Sequence, residues 1–348
     1  MNRILHINFD VYLDKKVDHK VGGVPCAIQN IINYLSHSNK HNLLTFDSSI
    51  NSPKVEDGNY IFPNLEKKYF SNFIRSPLKF FSAFKDVDIF VFHHIPPIKL
   101  LAYFRIIFPF AKFFCFVYTK QANKMKLYMR GIDLFLTTDE ILRDNLISLS
   151  YPKHKVKSVG VIPDINKYDI KRNNMSFSFL NNGSKIWYSA GPRVEMGFDV
   201  FINEIIKDTD KNHKYRITLL GEVEVSIRDD IQKMANVEVG GMYANVPKAM
   251  LEVDVMAYLI IDHKHKMHMP LMAIEAMLMK RIVITTLSGG MPCLFNKKNS
   301  IPVKKGAGFI AAYESFSEEE LLDLAEKGYQ DARKYFDHTI MNMEGIFS

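Results

Sequence analysis

Short apolar runs alternate with amphipathic segments of helical length along almost the whole chain. In the first half the runs are "RILHINF", "HNLLTFD", "NYIF", "VDIFVFHH", "FFCFVYT", "DLFLTT" and "VKSVGVI", with helical patterns such as "VPCAIQNIINYLS" and "DEILRDNLISLS" between them. Parallel strands cannot be joined by a tight hairpin, so a helix must carry the chain back to the start of the next strand. The alternation therefore predicts an α/β domain with a doubly wound parallel sheet. It stops at "NKYDIKRNNMSFSFLNNGSK", which is polar, rich in Asn and Ser and without a period, and then restarts with "KIWYSAG", "YRITLLG", "VEVGG", "VDVMAYLII" and "RIVITT". A chain of 348 residues also exceeds what one ordinary core needs. We expect a Rossmann-like domain over 1–168, a linker over 169–184, a second Rossmann-like domain over 185–325 and C-terminal helices over 326–348 that return to the first domain.

Lys and Arg exceed Asp and Glu by a formal +7. That excess favours anionic partners, whether phosphorylated ligands, acidic lipid or nucleic acid, without choosing among them. Three cysteines, Cys26, Cys115 and Cys293, stand far apart and outside any CxxC spacing, which argues against a disulfide framework or a zinc ribbon and fits a reducing cytoplasm. The opening "MNRILHINFD" runs straight into a strand-like pattern, so a secretory leader is not expected. The most apolar stretch, "LLAYFRIIFPFAKFFCFVY", is interrupted by Arg105, Pro109 and Lys112; it reads as a helix, a proline break and a buried strand belonging to the core rather than as a membrane span.

Several residues fall where strands end or helices begin, and ligands of open parallel sheets bind beyond the carboxyl ends of strands. Gly22 and Gly23 precede a helix beginning near Pro25, where small residues let backbone N–H groups approach a phosphate; a plain turn explains them equally well. In "HMPLMAIEAMLMKRIVITTLSGGMP" a helix starts at about Pro270, so the N–H groups of Met269, Leu271 and Met272 suit a pyrophosphate. One turn further in, Glu275 has two acceptor oxygens for the two hydroxyls of a ribose, the alternative being a carboxylate on an exposed helix face. Arg193, in the turn between "KIWYSAG" and the next helix, offers a guanidinium fork to a diphosphate or is an ordinary surface arginine. Gly240, Gly241, Met242 and Tyr243 end another strand, where a base could meet main-chain groups and a side chain. His93 and His94 end "DIFVFHH"; they either reach a sugar hydroxyl or are satisfied core histidines.

In this order the motifs resemble the GT-B glycosyltransferases, specifically the large family 4 that uses nucleotide-sugar donors. "VGGVPCAIQNIINYL" is similar to the family's Gly-Gly loop and helix, "DVDIFVFHHIPP" to its Asp-x-x-x-x-His strand end, "SAGPRVEMGFDVFINEI" to its Arg-containing turn, and "MHMPLMAIEAMLMKRIVITTLSGGMP" to its Glu-x7-Glu block with the trailing Gly-Gly. The resemblance implies two Rossmann-like domains facing a cleft, a sugar transferred from a nucleotide diphosphate donor with retention of configuration, and no cofactor or metal. It implies catalytic roles for His93, His94 and Arg193, and donor contacts from Gly22, Gly23, Arg193, Gly241, Met242, Tyr243, Met269, Leu271 and Glu275. The pattern is departed from in three respects: Met267 stands where the family has an acidic residue, Met196 where it has a phosphate-contacting Lys, and Tyr118 and Thr119 where many members have a His. Either Lys264 and Lys266 in "DHKHKMH" supply the missing phosphate charge, or the chain is a noncatalytic homologue serving as a partner subunit or glycan-binding protein.

The stretch "KKYFSNFIRSPLKFFSAFK" (67–85) interleaves basic residues with Phe and Tyr, as a surface helix on an anionic membrane would. Stacked bases or packing on the first sheet are the other uses of such a pattern. We expect a hexosyl-type glycosyltransferase acting on a glycan or lipid-linked acceptor in surface polysaccharide synthesis, cytoplasmic or peripheral on the inner face of the membrane. A nucleic-acid partner is disfavoured, and the oligomeric state is left open.

Overall fold

The computed structural model describes residues 2–7, 23–36, 39–47, 54–56, 59–63, 81–82, 84–93, 96–119, 131–169, 183–208, 213–218, 231–241, 243, 245–262 and 268–348. Among the predicted site residues, Gly22, His94, Met242, Lys264, Lys266 and Met267 lie outside this set. So do residues 67–80 and 83 of the basic aromatic stretch.

The chain divides into two compact units, Met1–Ile162 with His338–Ser348, and Pro163–Asp337. In the first unit the strands are β1 (Arg3–Ile7), β2 (Lys40–Asp47), β3 (Lys54–Glu56), β4 (Asn59–Pro63), β5 (Ile89–Phe92), β6 (Lys112–Val117), β7 (Leu134–Thr137) and β8 (Val156–Ser158), in the order β3-β4-β2-β1-β5-β6-β7-β8. Every pairing is parallel except the edge pair of β3 and β4. Helices α1 (Gly23–Leu35), α2 (Ile98–Ile107) and α3 (Glu140–Ser148) belong to this unit, and Asp139 caps α3 through a bond from the Leu142 N–H. The core is rich in phenylalanine: Phe90, Phe92, Phe104, Phe108 and Phe113 meet at tilted and edge-on angles with ring centroids 4.9 to 6.4 Å apart. Edge-to-face contacts of this kind suit the aromatic quadrupole and add to the burial of apolar area.

The second unit contains a six-stranded, fully parallel sheet, β11-β10-β9-β12-β13-β14, from β9 (Lys185–Tyr188), β10 (Lys214–Thr218), β11 (Val237–Gly240), β12 (Val255–Tyr258), β13 (Ile282–Thr285) and β14 (Ile301–Pro302). Its helices are α4 (Ile165–Tyr168), α5 (Phe198–Lys207), α6 (Val246–Leu251), α7 (Leu271–Leu278) and α8 (Ile310–Glu314). Residues 163–168, placed in the first domain from sequence, cluster with this unit because α4 packs on α7. The tail forms one thirty-residue helix, α9 (Glu318–Phe347), whose residues from His338 onward cluster with the first unit. There Asn2 Nδ2 donates to the carbonyls of Phe347 and Ser348, and Phe347 packs on Phe114.

Two departures from the sequence reading are local. The short strands β3 and β14 carry too few residues to show a period. The stretch from Leu100 to Tyr118 is a helix, a proline break and a strand, as read, but it is not all core: Ile106 and Phe110 are exposed.

Candidate active site

The strand order of the second sheet reverses between β9 and β12, the position where open α/β sheets bind ligands at the strands' carboxyl ends. The loop after β9 carries Arg193 and ends in Gly197, which adopts φ +80° and opens α5. A Cβ on Gly197 would lie 2.2 Å from the Leu259 carbonyl oxygen, so only glycine permits this close approach to the segment after β12. The same turn is tied at three further points. The Glu195 carbonyl accepts from the N–H groups of Ile261 and Asp262, and the buried Tyr188 hydroxyl donates to the carbonyls of Gly191 and Met196. Arg193 itself is exposed at the head of this braced turn.

Glu275 is buried in the second turn of α7, whose first turn begins after Pro270 without a side-chain cap. The exposed-face alternative is therefore excluded. Burial pushes its carboxyl up to about 8; a bond from the Asp164 backbone N–H opposes the rise, the Asp164 charge adds to it and Lys167 opposes it again. At neutral pH the group is therefore mostly protonated, so it can both donate and accept a hydrogen bond. Tyr258 lies beside it at the end of β12, its phenol raised by burial and further by the Glu275 charge, and within 3.5 Å of Ser189 Oγ. The loop after β13 completes the surroundings. Leu287 takes φ +46°, Gly289 φ +62°, Gly290 N–H donates to the His268 carbonyl, and the Oγ of Ser288 is buried without a hydrogen-bond partner among the described residues. Met269 and Leu271 are both buried.

The end of β11 is the other candidate contact for the donor. Gly240 is the glycine whose Cβ would collide, 2.5 Å from the Tyr243 hydroxyl, whereas Gly241 opens onto space. Tyr243 packs edge-on against Trp187 and beside the Arg216 guanidinium, and its hydroxyl bonds to Glu238. Arg216 also pairs with Glu238 and Glu252. Burial would raise the Glu238 carboxyl, but bonds from Arg216 and Lys185 outweigh it and hold the group below the usual range.

In the first unit His93 follows β5 next to the strand-order reversal between β1 and β5, as the resemblance implies, but it is wholly buried and both ring nitrogens are engaged. Nδ1 lies 2.7 Å from the Tyr118 hydroxyl and Nε2 lies 2.8 Å from His6 Nδ1; His6 Nε2 in turn lies 2.8 Å from His41 Nδ1. His93 is the third member of a buried chain of side chains that stand on β2 and β1 and just beyond β5 and β6. The rings stack in series rather than converge on one point. The α1 helix opens at Gly23, two residues before the expected start.

Sequence reasoning did not find Asp164, Ser189, Tyr258, Ser288, His6 or His41. A lone polar residue inside an apolar strand run, as in "RILHINF", is the one signal that pointed to the histidines. The contacts of Asp164 and Tyr258 with Glu275 join residues far apart in sequence and left no local trace.

Two doubly wound, predominantly parallel sheets in tandem, the second with a carboxylate on the helix that follows its switch-point strand, define the GT-B class of fold. Residues 185–319, within the second unit, match the family described as Glycosyl transferases group 1. Solved structures agree over the full length. A glycosyltransferase from Rickettsia africae superposes with TM-score 0.76 at 12% identity, covering 99% of this chain and 97% of that one. HepE from Anabaena, in complex with UDP and glucose, gives 0.72 at 15% identity, covering 99% and 98%. The catalytic domain of starch synthase IV from Arabidopsis thaliana, bound to ADP and acarbose, gives 0.71 at 12% identity, covering 98% and 99%. No curated protein matches the sequence.

Proposed function

We propose that the chain is a glycosyltransferase that takes a sugar from a nucleotide diphosphate donor and passes it, with retention and without a metal, to a glycan or lipid-linked acceptor in surface polysaccharide synthesis. One observation carries this reading: Glu275 is buried behind the uncapped first turn of α7, at the carboxyl side of the sheet whose Arg193 turn is braced by Tyr188 and Gly197. In this reading the α7 amides and Arg193 face the diphosphate and Glu275 accepts the ribose hydroxyls. Transfer then relies on positioning and on stabilising the charge of the departing diphosphate. The nucleotides held by HepE and starch synthase IV, together with the family domain over 185–319, support the donor class. Binding of UDP, ADP and GDP followed by thermal shift tests it, because a ligand selective for the native state raises the melting temperature. No shift with any nucleoside diphosphate at millimolar concentration would count against the reading.

A second reading, a noncatalytic partner subunit, is favoured by Met196, which stands where the family has a phosphate-contacting Lys and whose carbonyl is held by Tyr188. If Lys264 and Lys266 supply the missing charge, replacing both with Ala weakens nucleoside diphosphate binding far more than monophosphate binding, and Met196→Lys restores part of it. Equal mono- and diphosphate affinities, with no donor hydrolysis across a panel of sugars, would select the partner-subunit reading.

A further inference from the structure

Helix α2 is apolar on two sides. Leu100, Leu101 and Phe104 point into the first core. On the other side Ile98, Ala102 and Ile106 recur every fourth residue and are exposed, and the stripe continues past the helix end into Pro109 and Phe110. Ile106 is 77% exposed and Phe110 99%. A contiguous exposed apolar stripe on a helix whose other side already fills the core calls for a covering surface.

Charge indicates what covers it. Lys99 and Lys112 flank the stripe and are exposed, and Arg105 is engaged with Asp133 and the Gly131 carbonyl. Between Asp88 and Asp133 the sequence contains seven Lys and Arg residues and no Asp or Glu. Phe81 stacks on Phe108 with centroids 5.9 Å apart and is itself 43% exposed, which brings the end of the basic aromatic stretch to the same place. A second copy of the chain, docked face to face about a twofold axis, would set these cations against their own images, at a cost in repulsion. An anionic bilayer answers both features, taking apolar side chains at the acyl boundary and cations among the headgroups.

We propose that the outer face of α2, with Phe110 and Phe81, docks on an anionic lipid bilayer, Ile106 and Phe110 entering the acyl boundary and Lys99 and Lys112 lying at headgroup level. This names the surface and lipid chemistry for the membrane partner of the proposed function, but it stands on the exposed stripe and not on the donor site. No helix among the described residues is long and apolar enough to cross a membrane, so docking is interfacial.

Sedimentation of the full chain with vesicles of phosphatidylglycerol and phosphatidylcholine, against phosphatidylcholine alone, tests the proposal. The unmodified chain should bind the anionic vesicles, less so at high salt. Ile106→Ser with Phe110→Ser should lower the partition coefficient at least tenfold without lowering the melting temperature, since both side chains are already in water. Lys99→Gln with Lys112→Gln should erase the preference for anionic lipid. No binding by the unmodified chain, or unchanged binding by the double serine variant, would overturn it. So would a concentration-dependent dimer in lipid-free buffer that the serine variant abolishes. Calorimetry of nucleotide binding in lipid-free buffer should be the same for the serine variant and the unmodified chain. Absence of nucleotide binding in both would count against the donor site and leave the docking surface standing.

Discussion

His6 Nδ1 and His93 Nε2 share a hydrogen bond of 2.8 Å inside the first sheet, and His6 repeats the contact on its other side with His41. Burial holds His6 well below its ordinary range, and the neighbouring His93 and His41 lower it further. A neutral imidazole donates through one nitrogen and accepts through the other, so the tautomer of His6 dictates opposite roles for the facing nitrogens of His41 and His93. Whether Tyr118 donates into this chain or accepts from it is therefore settled jointly by residues on or just beyond four strands.

The chain makes stability depend on acid in a defined direction. His41 falls from 6.5 to about 4 on folding, through burial. The unfolded chain therefore takes up a proton below pH 6.5 that the native chain refuses, and the stability present above pH 6.5 is lost as pH falls toward 4. His41→Gln removes that term, so its destabilisation measured by urea unfolding should shrink by about 2 kcal/mol between pH 7 and pH 5. A difference independent of pH would contradict the buried neutral state.

Glu275 acts in the opposite sense. Its folded value of about 8 lies above the ordinary 4.5, so stability is fully present below about pH 4.5 and is lost as pH rises toward 8. Glu275→Gln mimics the protonated acid and should gain about 2.5 kcal/mol relative to the unmodified chain between pH 5 and pH 7. Parallel pH–stability curves for the two proteins would refute the raised value.

The same residue links binding to protons. Ribose hydroxyls donating to an ionised Glu275 would stabilise the carboxylate, so nucleotide binding at pH 7 should release part of a proton, seen as a dependence of the calorimetric heat on buffer ionisation enthalpy. Glu275→Ala should weaken nucleoside diphosphate binding by about 1.5 to 3 kcal/mol while leaving the fold intact. Unchanged affinity would remove Glu275 from the donor site.

Gly197→Ala should be disproportionately costly for a change of one methyl group. The left-handed backbone alone costs about 1–2 kcal/mol, and the approach of 2.2 Å to the Leu259 carbonyl requires the Arg193 turn to move. A loss of more than about 2 kcal/mol in stability, with weakened diphosphate binding, is expected. Wild-type behaviour in both would show that the turn is not held as the structure describes.

The order of strands and helices was legible in the amino-acid sequence because period and composition are local properties. An apolar run such as "RIVITT" has few other ways to be satisfied. The helix bearing Glu275, the Arg193 turn and the tandem arrangement of two doubly wound domains followed from that order. What only the tertiary structure decided is the environment of each side chain. Glu275 is buried because α4 folds onto α7 and brings in Asp164, a residue 111 positions earlier in the sequence. His93 is sealed into a chain with His6 and His41 because three strands distant in sequence lie side by side. Ile106 and Phe110 stay in water although their composition matches that of their buried neighbours. Burial and ionisation depend on which surfaces meet across the fold, and no local window of sequence contains that information.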